Sequence, residues 1–315
     1  MGVVAFCSAK GSPGVTTSAL LVAALWPRRV LLVDADPAGG DVALRLPGTD
    51  GLALDTRRGM LTLLPMARRA LDPFALYQHA QELSGGVPVL AGLAGPEQAG
   101  AVGELWTELA RAFAALPGAD VIVDAGRVHS HAVHLSLLRQ ADVVAWVLRP
   151  TVAGVVHARE RLRLVGPALR RIDGTFPRIG LVVVAPVDAR DEVDEVGHAI
   201  HAELPFVELF GQVALDERGA GIFEGLSVPR PQRTMLVRSG GELASTLVSI
   251  MPEPLDDTRP GAAPPGPVLP EAAAAGPVPP EAVAPGPVPP EAAAPGPVPP
   301  GAAPPGPVPR LEATG

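Results

Sequence analysis

Along the first 250 residues, short unbroken apolar runs alternate with longer segments whose apolar positions recur every three to four residues. The runs "GVVAFCSA" (2–9), "RVLLVDAD" (29–36), "VPVLAG" (87–92), "ADVIVDAG" (119–126), "DVVAWVLRP" (142–150) and "RIGLVVVAP" (178–186) lack polar alternation, as strands buried on both faces do. Helical spacing marks 16–26, 61–70, 73–83, 96–116, 131–140, 152–171, 191–203 and 239–250, and a further strand is expected around 207–214. Strand and helix alternate, which predicts an α/β fold: a doubly wound, mostly parallel sheet with helices on both faces. Such sheets bind ligands beyond the carboxyl ends of their strands. The loops after Ala9, Asp36 and Asp124 fall there.

From Met251 onward the alternation stops. Gly-Pro-Val returns every ten residues, at Gly266, Gly276, Gly286, Gly296 and Gly306. Without glycine at every third position this is not collagen, and proline so dense favours extended polyproline II segments. Residues 1–251 are therefore expected to form one folded domain and 252–315 a disordered tail, serving as a spacer or as a ligand for a proline-recognising partner.

Charge adds little to that division. Of the net −8, five charges belong to the tail, which has seven acids against two arginines. The mildly acidic body does not suggest nucleic-acid binding through bulk charge. One cysteine, Cys7, lies in an apolar run, which excludes a disulfide framework and suits a reducing compartment. The apolar stretch 18–26 is too short for a membrane span and no basic leader precedes it, so a cytoplasmic protein is expected.

The three strand-end loops carry the candidate chemistry. In "KGSPGVTT" the amides from Gly11 through Ser12, Gly14, Val15, Thr16 and Thr17, around Pro13, surround the start of a helix. That arrangement makes a nest for phosphate oxygens, with Thr16 where such loops place a hydroxyl on Mg2+. Asp34 and Asp36, spaced by two, can share one side of a strand end. Asp124 ends another strand, suited to holding a magnesium shell through water. Among the 25 basic residues Lys10 is the one lysine, and the chain has no asparagine. In a composition this rich in Ala, Gly, Pro and Val, lysine codons drift to arginine, so a lysine that persists in this loop is read as functional.

Together the loops resemble the MinD/ParA family of P-loop ATPases, which position cell-division, chromosome-partition, flagellar and pilus machinery. The resemblance runs over residues 2–250 and is most specific in "KGSPGVTT", similar to the family's deviant Walker A motif, Lys-Gly-Gly-x-Gly-Lys-Thr-Thr. It implies a P-loop NTPase-like fold, ATP and Mg2+ as cofactors, a homodimer, and a protein partner in a division, partition, pilus or secretion machine. It makes Lys10 the lysine that crosses the dimer to the other copy's phosphates, Asp36 the water-orienting acid and Asp124 the Walker B acid. Residues 11–17 become the phosphate loop, with Thr16 and Asp124 serving Mg2+.

Three positions depart from the family. Val15 replaces the second lysine, Ser12 a glycine, and Ala185 the asparagine that commonly reads adenine. A charge-assisted phosphate contact contributes about 1.5–3 kcal/mol, so its loss leaves weak nucleotide binding and slow hydrolysis as the expectation. That suits the degenerate, pilus-localising CpaE/TadZ branch; the alternatives are a competent partition ATPase, a nucleotide-free scaffold or a biosynthetic P-loop ligase. Two further clusters stay open. His129, His131 and His134 form either a metal group or a solvated start to a helix. Arg159, Arg161, Arg163, Arg170 and Arg171 in segment 157–171 form either a solvated helix face or a surface for DNA, anionic lipid or a partner.

Overall fold

Each apolar run becomes a strand of one sheet. The computed structural model describes residues 1–252, and the repeat expected to be a disordered tail lies outside the described residues. β1 (Val3–Ser8) leads into α1 (Val15–Ala24), followed by β2 (Val30–Asp34), α2 (Val42–Arg45), α3 (Met60–Ala67) and α4 (Ala75–His79). Next come β3 (Gln81–Glu82), β4 (Pro88–Leu90), α5 (Pro96–Val102), α6 (Leu105–Ala114) and β5 (Asp120–Arg127). The second half holds α7 (Leu135–Gln140), β6 (Val143–Leu148), α8 (Val152–Val165), β7 (Arg178–Ala185), α9 (Arg190–Glu203) and β8 (Val207–Ala214). α10 (Glu217–Ala220) and α11 (Met235–Ile250) close it.

The strand order is β3-β4-β2-β5-β1-β6-β7-β8, parallel throughout except for the β3–β4 edge pair. Because strand side chains alternate, the sheet feeds two cores. Val3, Ala5 and Cys7 of β1 pack with α3 and α5–α9, whereas Val4 and Phe6 pack with α1 and α11. α1 is buried at eight of its ten residues, as a helix apolar around its circumference must be. It lies between the sheet and α11, which comes so near that a Cβ on Gly240 would stand 2.5 Å from Leu21 Cγ.

Helix limits differ from the sequence reading where tertiary contacts set them. The single helix expected over 96–116 breaks at Gly103 (φ +56°), and Trp106 folds back to donate from Nε1 to the Ala99 carbonyl at 3.1 Å. The helix expected over 73–83 stops at His79, because the turn after Leu83 pairs Gln81 and Glu82 with β4. α8 ends before Gly166-Pro167 and not at 171, since proline lacks the donor a helix needs. α11 starts four residues early, its first amides taken by Asp216 Oδ2 and Thr234 Oγ1. At the amino edge of the sheet, Trp26 Nε1 and the Gly2 amide donate to buried Asp120, Met251 packs close to Gly2, and Arg28 donates to the Pro252 carbonyl at 3.4 Å.

Candidate functional site

The segment "KGSPGVTT" forms a tight loop between β1 and α1. Gly11 (φ +77°) and Gly14 (φ +111°) take left-handed backbone that only glycine adopts at little cost, which turns the loop around the helix start. α1 has no side-chain cap and no acid in its first turn. Among the described residues no protein group accepts from the amides of Gly11, Ser12, Gly14, Val15, Thr16 or Thr17. The first amides of a helix have no intrahelical partner and its start carries about half a positive charge, so the loop offers unclaimed donors to an anion. Val15 points away from that role, being 7% exposed and packed into the α1-side core.

Strand order brings the acids beside the loop. Asp34 and Asp124 stand opposite each other on β2 and β5, and both are buried. Asp34 Oδ2 accepts from the Val42 amide at 3.0 Å, while its Oδ1 has no partner. Its carboxylate lies between Gly40 and Gly92, where a Cβ would approach within 2.7 and 2.9 Å. Burial, then the charge of Asp124, raises the Asp34 pKa to about 8. Burial also raises Asp124, against the Thr16 hydroxyl and the Gly126 amide, which favour its charge. Asp36 is half-buried at the cleft; burial raises it while Arg127 opposes the shift. Its carboxylate rests on Gly126, whose φ is +56° and whose Cβ would lie 2.1 Å from Asp36 Cγ. The two acids of "DAD" thus part: Asp34 goes under the sheet's end and Asp36 into the cleft.

That cleft, of about 440 Å3, is lined by Ser8, residues 11–17 of the loop, Asp36 and Gly126. Arg45, Arg127 and Arg149 line it too, and the sequence reading missed them. Arg127 and Arg149 stand at the ends of recognised strands, so the strand-end rule applied to bases as well as acids finds them. Arg45 sits on a four-residue helix with no sequence signal. It donates to Thr17 Oγ1 at 3.4 Å and pairs with Asp41 and Glu224. Lys10 is exposed and lines a different cleft of about 400 Å3 on the other side of the loop, with Arg149, Thr151 and His157.

The other clusters resolve blandly. His134 is buried, bonded from Nε2 to the Ala125 carbonyl at 2.9 Å and packed on Trp106, and burial lowers its pKa to about 4. It is a core residue and not part of a solvated helix start. No group of three or more His, Cys, Asp or Glu side chains among the described residues is placed to hold a metal. Of the two residues expected to serve a magnesium ion, Thr16 lines the cleft, whereas Asp124 is 1% exposed and lies beneath its surface. Arg170 and Arg171 lie beyond α8, and Arg171 is spent on the Arg139 and Ala141 carbonyls. Arg159 and Arg163 pair with Glu160 and Glu203. Ala185 is fully buried and offers no polar side chain. No helix among the described residues is long and apolar enough to cross a membrane.

No protein-family model and no curated protein matches the sequence. Solved structures do match. The ParA family ATPase of Chlorobium tepidum aligns over 78% of this chain and 98% of its own, with TM-score 0.58 and 22% identity. The cell division ATPase MinD of Pyrococcus furiosus aligns over 80% and 100%, with TM-score 0.61 and 17% identity. The septum site-determining protein MinD of Pyrococcus horikoshii, complexed with Mg-ADP, aligns over 78% and 95%, with TM-score 0.56 and 18% identity. The chain has the MinD/ParA fold. At these identities the likeness is one of fold, and it spans nearly the whole of each MinD or ParA structure. In MinD/ParA terms the loop after β1 is the P-loop, and the cleft beside it is bounded by the ends of β2 and β5.

Proposed function

We propose that the chain is a MinD/ParA-type positioning or partition protein that binds ATP with Mg2+ at the β1–α1 loop and pairs with a second copy when loaded. The observation that carries this reading is the open first turn of α1, with its unclaimed amides and without an acid or cap. The amides of Gly11, Ser12 and residues 14–17 would hold phosphate oxygens, and Thr16 and Asp124 would serve Mg2+, the Thr16 hydroxyl favouring the charged form of Asp124. When bound, Mg2+ would supply positive charge against the phosphate oxygens. Asp36 is aimed into the cleft from its seat on Gly126 and orients water. Lys10 is exposed and lines the neighbouring cleft and not the one beside α1, which suits a contact with the partner copy's nucleotide. Val15 leaves the first turn without a cation, so turnover is slow while binding persists.

The experiment is calorimetric titration with ATP and Mg2+, followed by light scattering and phosphate release. Micromolar binding, ATP-dependent doubling of mass, loss of that doubling in Lys10→Ala, and slow release are expected. Absence of ATP binding overturns the reading and leaves a nucleotide-free scaffold. Rapid hydrolysis overturns its degenerate form in favour of a competent partition ATPase.

A further inference from the structure

We propose that Arg127 and Arg149 together supply the positive charge that meets the terminal phosphates of the nucleotide, in place of any cation from α1. The inference rests on the nucleotide reading above and names the residues that make it work. The first turn of α1 offers Val15, Thr16 and Thr17, none of them charged, and the helix start contributes only a partial charge. A polyphosphate in the cleft therefore needs side-chain cations from elsewhere.

Three arginines line the cleft, and one is committed. The fork of Arg45 is divided among Asp41, Glu224 and Thr17. Arg127 and Arg149 are exposed and make no ion pair or side-chain hydrogen bond among the described residues. The strand order accounts for their placement. β5 and β6 are the two immediate neighbours of β1, on opposite sides. Ser8, the last residue of β1, is in register with Arg127, and Cys7 is in register with Trp146, three residues before Arg149. The loop that leaves β1 thus emerges between two strand ends, each bearing an arginine. Arg149 also borders the second cleft, with Lys10, so it lies on the seam between the two. A guanidinium suits such a flank, since its planar fork binds two phosphate oxygens and reaches farther than an ammonium from the loop itself.

The test uses the full chain and calorimetric titration with ATP and with ADP in Mg2+. Arg127→Ala and Arg149→Ala should each weaken ATP binding about 10-fold or more, weaken ADP binding less, and leave the melting temperature unchanged, because both side chains are exposed. Arg149→Lys should retain part of the affinity. Val15→Lys placed in the Arg149→Ala background should restore about 10-fold, since it returns a cation to the same phosphates from the helix side. A doubly substituted Arg127→Ala/Arg149→Ala protein that binds ATP as the wild type does overturns this assignment and leaves the nucleotide reading intact. A wild type that binds no ATP overturns both.

Discussion

At Val15 two demands meet in one side chain, because it borders the phosphate cleft and also fills the core beneath α1. Val15→Lys must lift its ammonium out of that core to reach the cleft. Overpacking and a partly buried charge cost about 1–3 kcal/mol, or roughly 2–12 °C in a body of this size. The expected outcome is a lower melting temperature without nucleotide, about 10-fold tighter ATP binding, and recovery of the lost stability when ATP is present. Equal melting with and without ATP would show that the lysine never reaches the phosphates. Gly126 poses the complementary case, since the Asp36 carboxylate occupies the space of its missing side chain. Gly126→Ala should cost about 1–3 kcal/mol through left-handed backbone and the clash. Asp36→Ala removes the obstructing carboxylate, so the double substitution should be less destabilising than the sum by about 1 kcal/mol in a denaturation cycle. Strict additivity would place the Asp36 carboxylate elsewhere. Val15 was visible in the sequence as a motif letter, and Gly126 only as the end of an apolar run. What each touches was not, because side-chain contacts across three strand ends leave no local pattern.

Among the elements, strands were legible and helix limits were not. A strand buried on both faces must be an apolar run, and all six such runs named from the sequence are strands in the sheet. Helix ends instead depend on partners far along the chain: Trp106 reaching Ala99 divides one helix, and Asp216 extends another by holding the amides of Met235 and Leu236. The contact of α1 with α11 is of this nonlocal kind, and it ties packing to the site because α1 carries the loop. Gly240→Ala gains roughly 1 kcal/mol of helix propensity but sets a Cβ at 2.5 Å from buried Leu21, with an overpacking cost of about 1–3 kcal/mol. A net loss of stability is expected, accompanied by weaker ATP binding as α1 shifts, and in a Leu21→Ala background, which itself costs about 2–5 kcal/mol, Gly240→Ala should cost less than it does alone. A neutral or stabilising Gly240→Ala, read by thermal melting, would mean that the helices part at no cost.

For the molecule as a whole, the buried carboxylates set how stability follows pH. Asp34 is raised to about 8 from an ordinary value near 4, so the folded chain keeps a proton that the unfolded chain has already released. Its contribution is complete below about pH 4 and is lost as pH rises towards 8. His134, lowered to about 4, acts in the opposite sense, adding stability as pH rises from about 4 to 6.5, and is neutral in both states above that. Between pH 6.5 and 8 His134 no longer contributes, and the raised carboxylates, Asp34 foremost, set the slope. The melting temperature without nucleotide should fall by roughly 2–4 °C across this interval, equivalent to about 1 kcal/mol, and Asp34→Asn should flatten the profile. A wild-type melting temperature that rises with pH here would show the pair to be fully ionised.

The described chain leaves off beside Gly2, where Arg28 holds the Pro252 carbonyl, at the amino edge of β1, while the phosphate cleft opens at its carboxyl edge. A six-residue strand separates the two points by about 20 Å. The phosphate cleft and the end of the described chain therefore lie at opposite edges of the sheet, so on the proposed reading a second copy approaches from the edge away from Pro252.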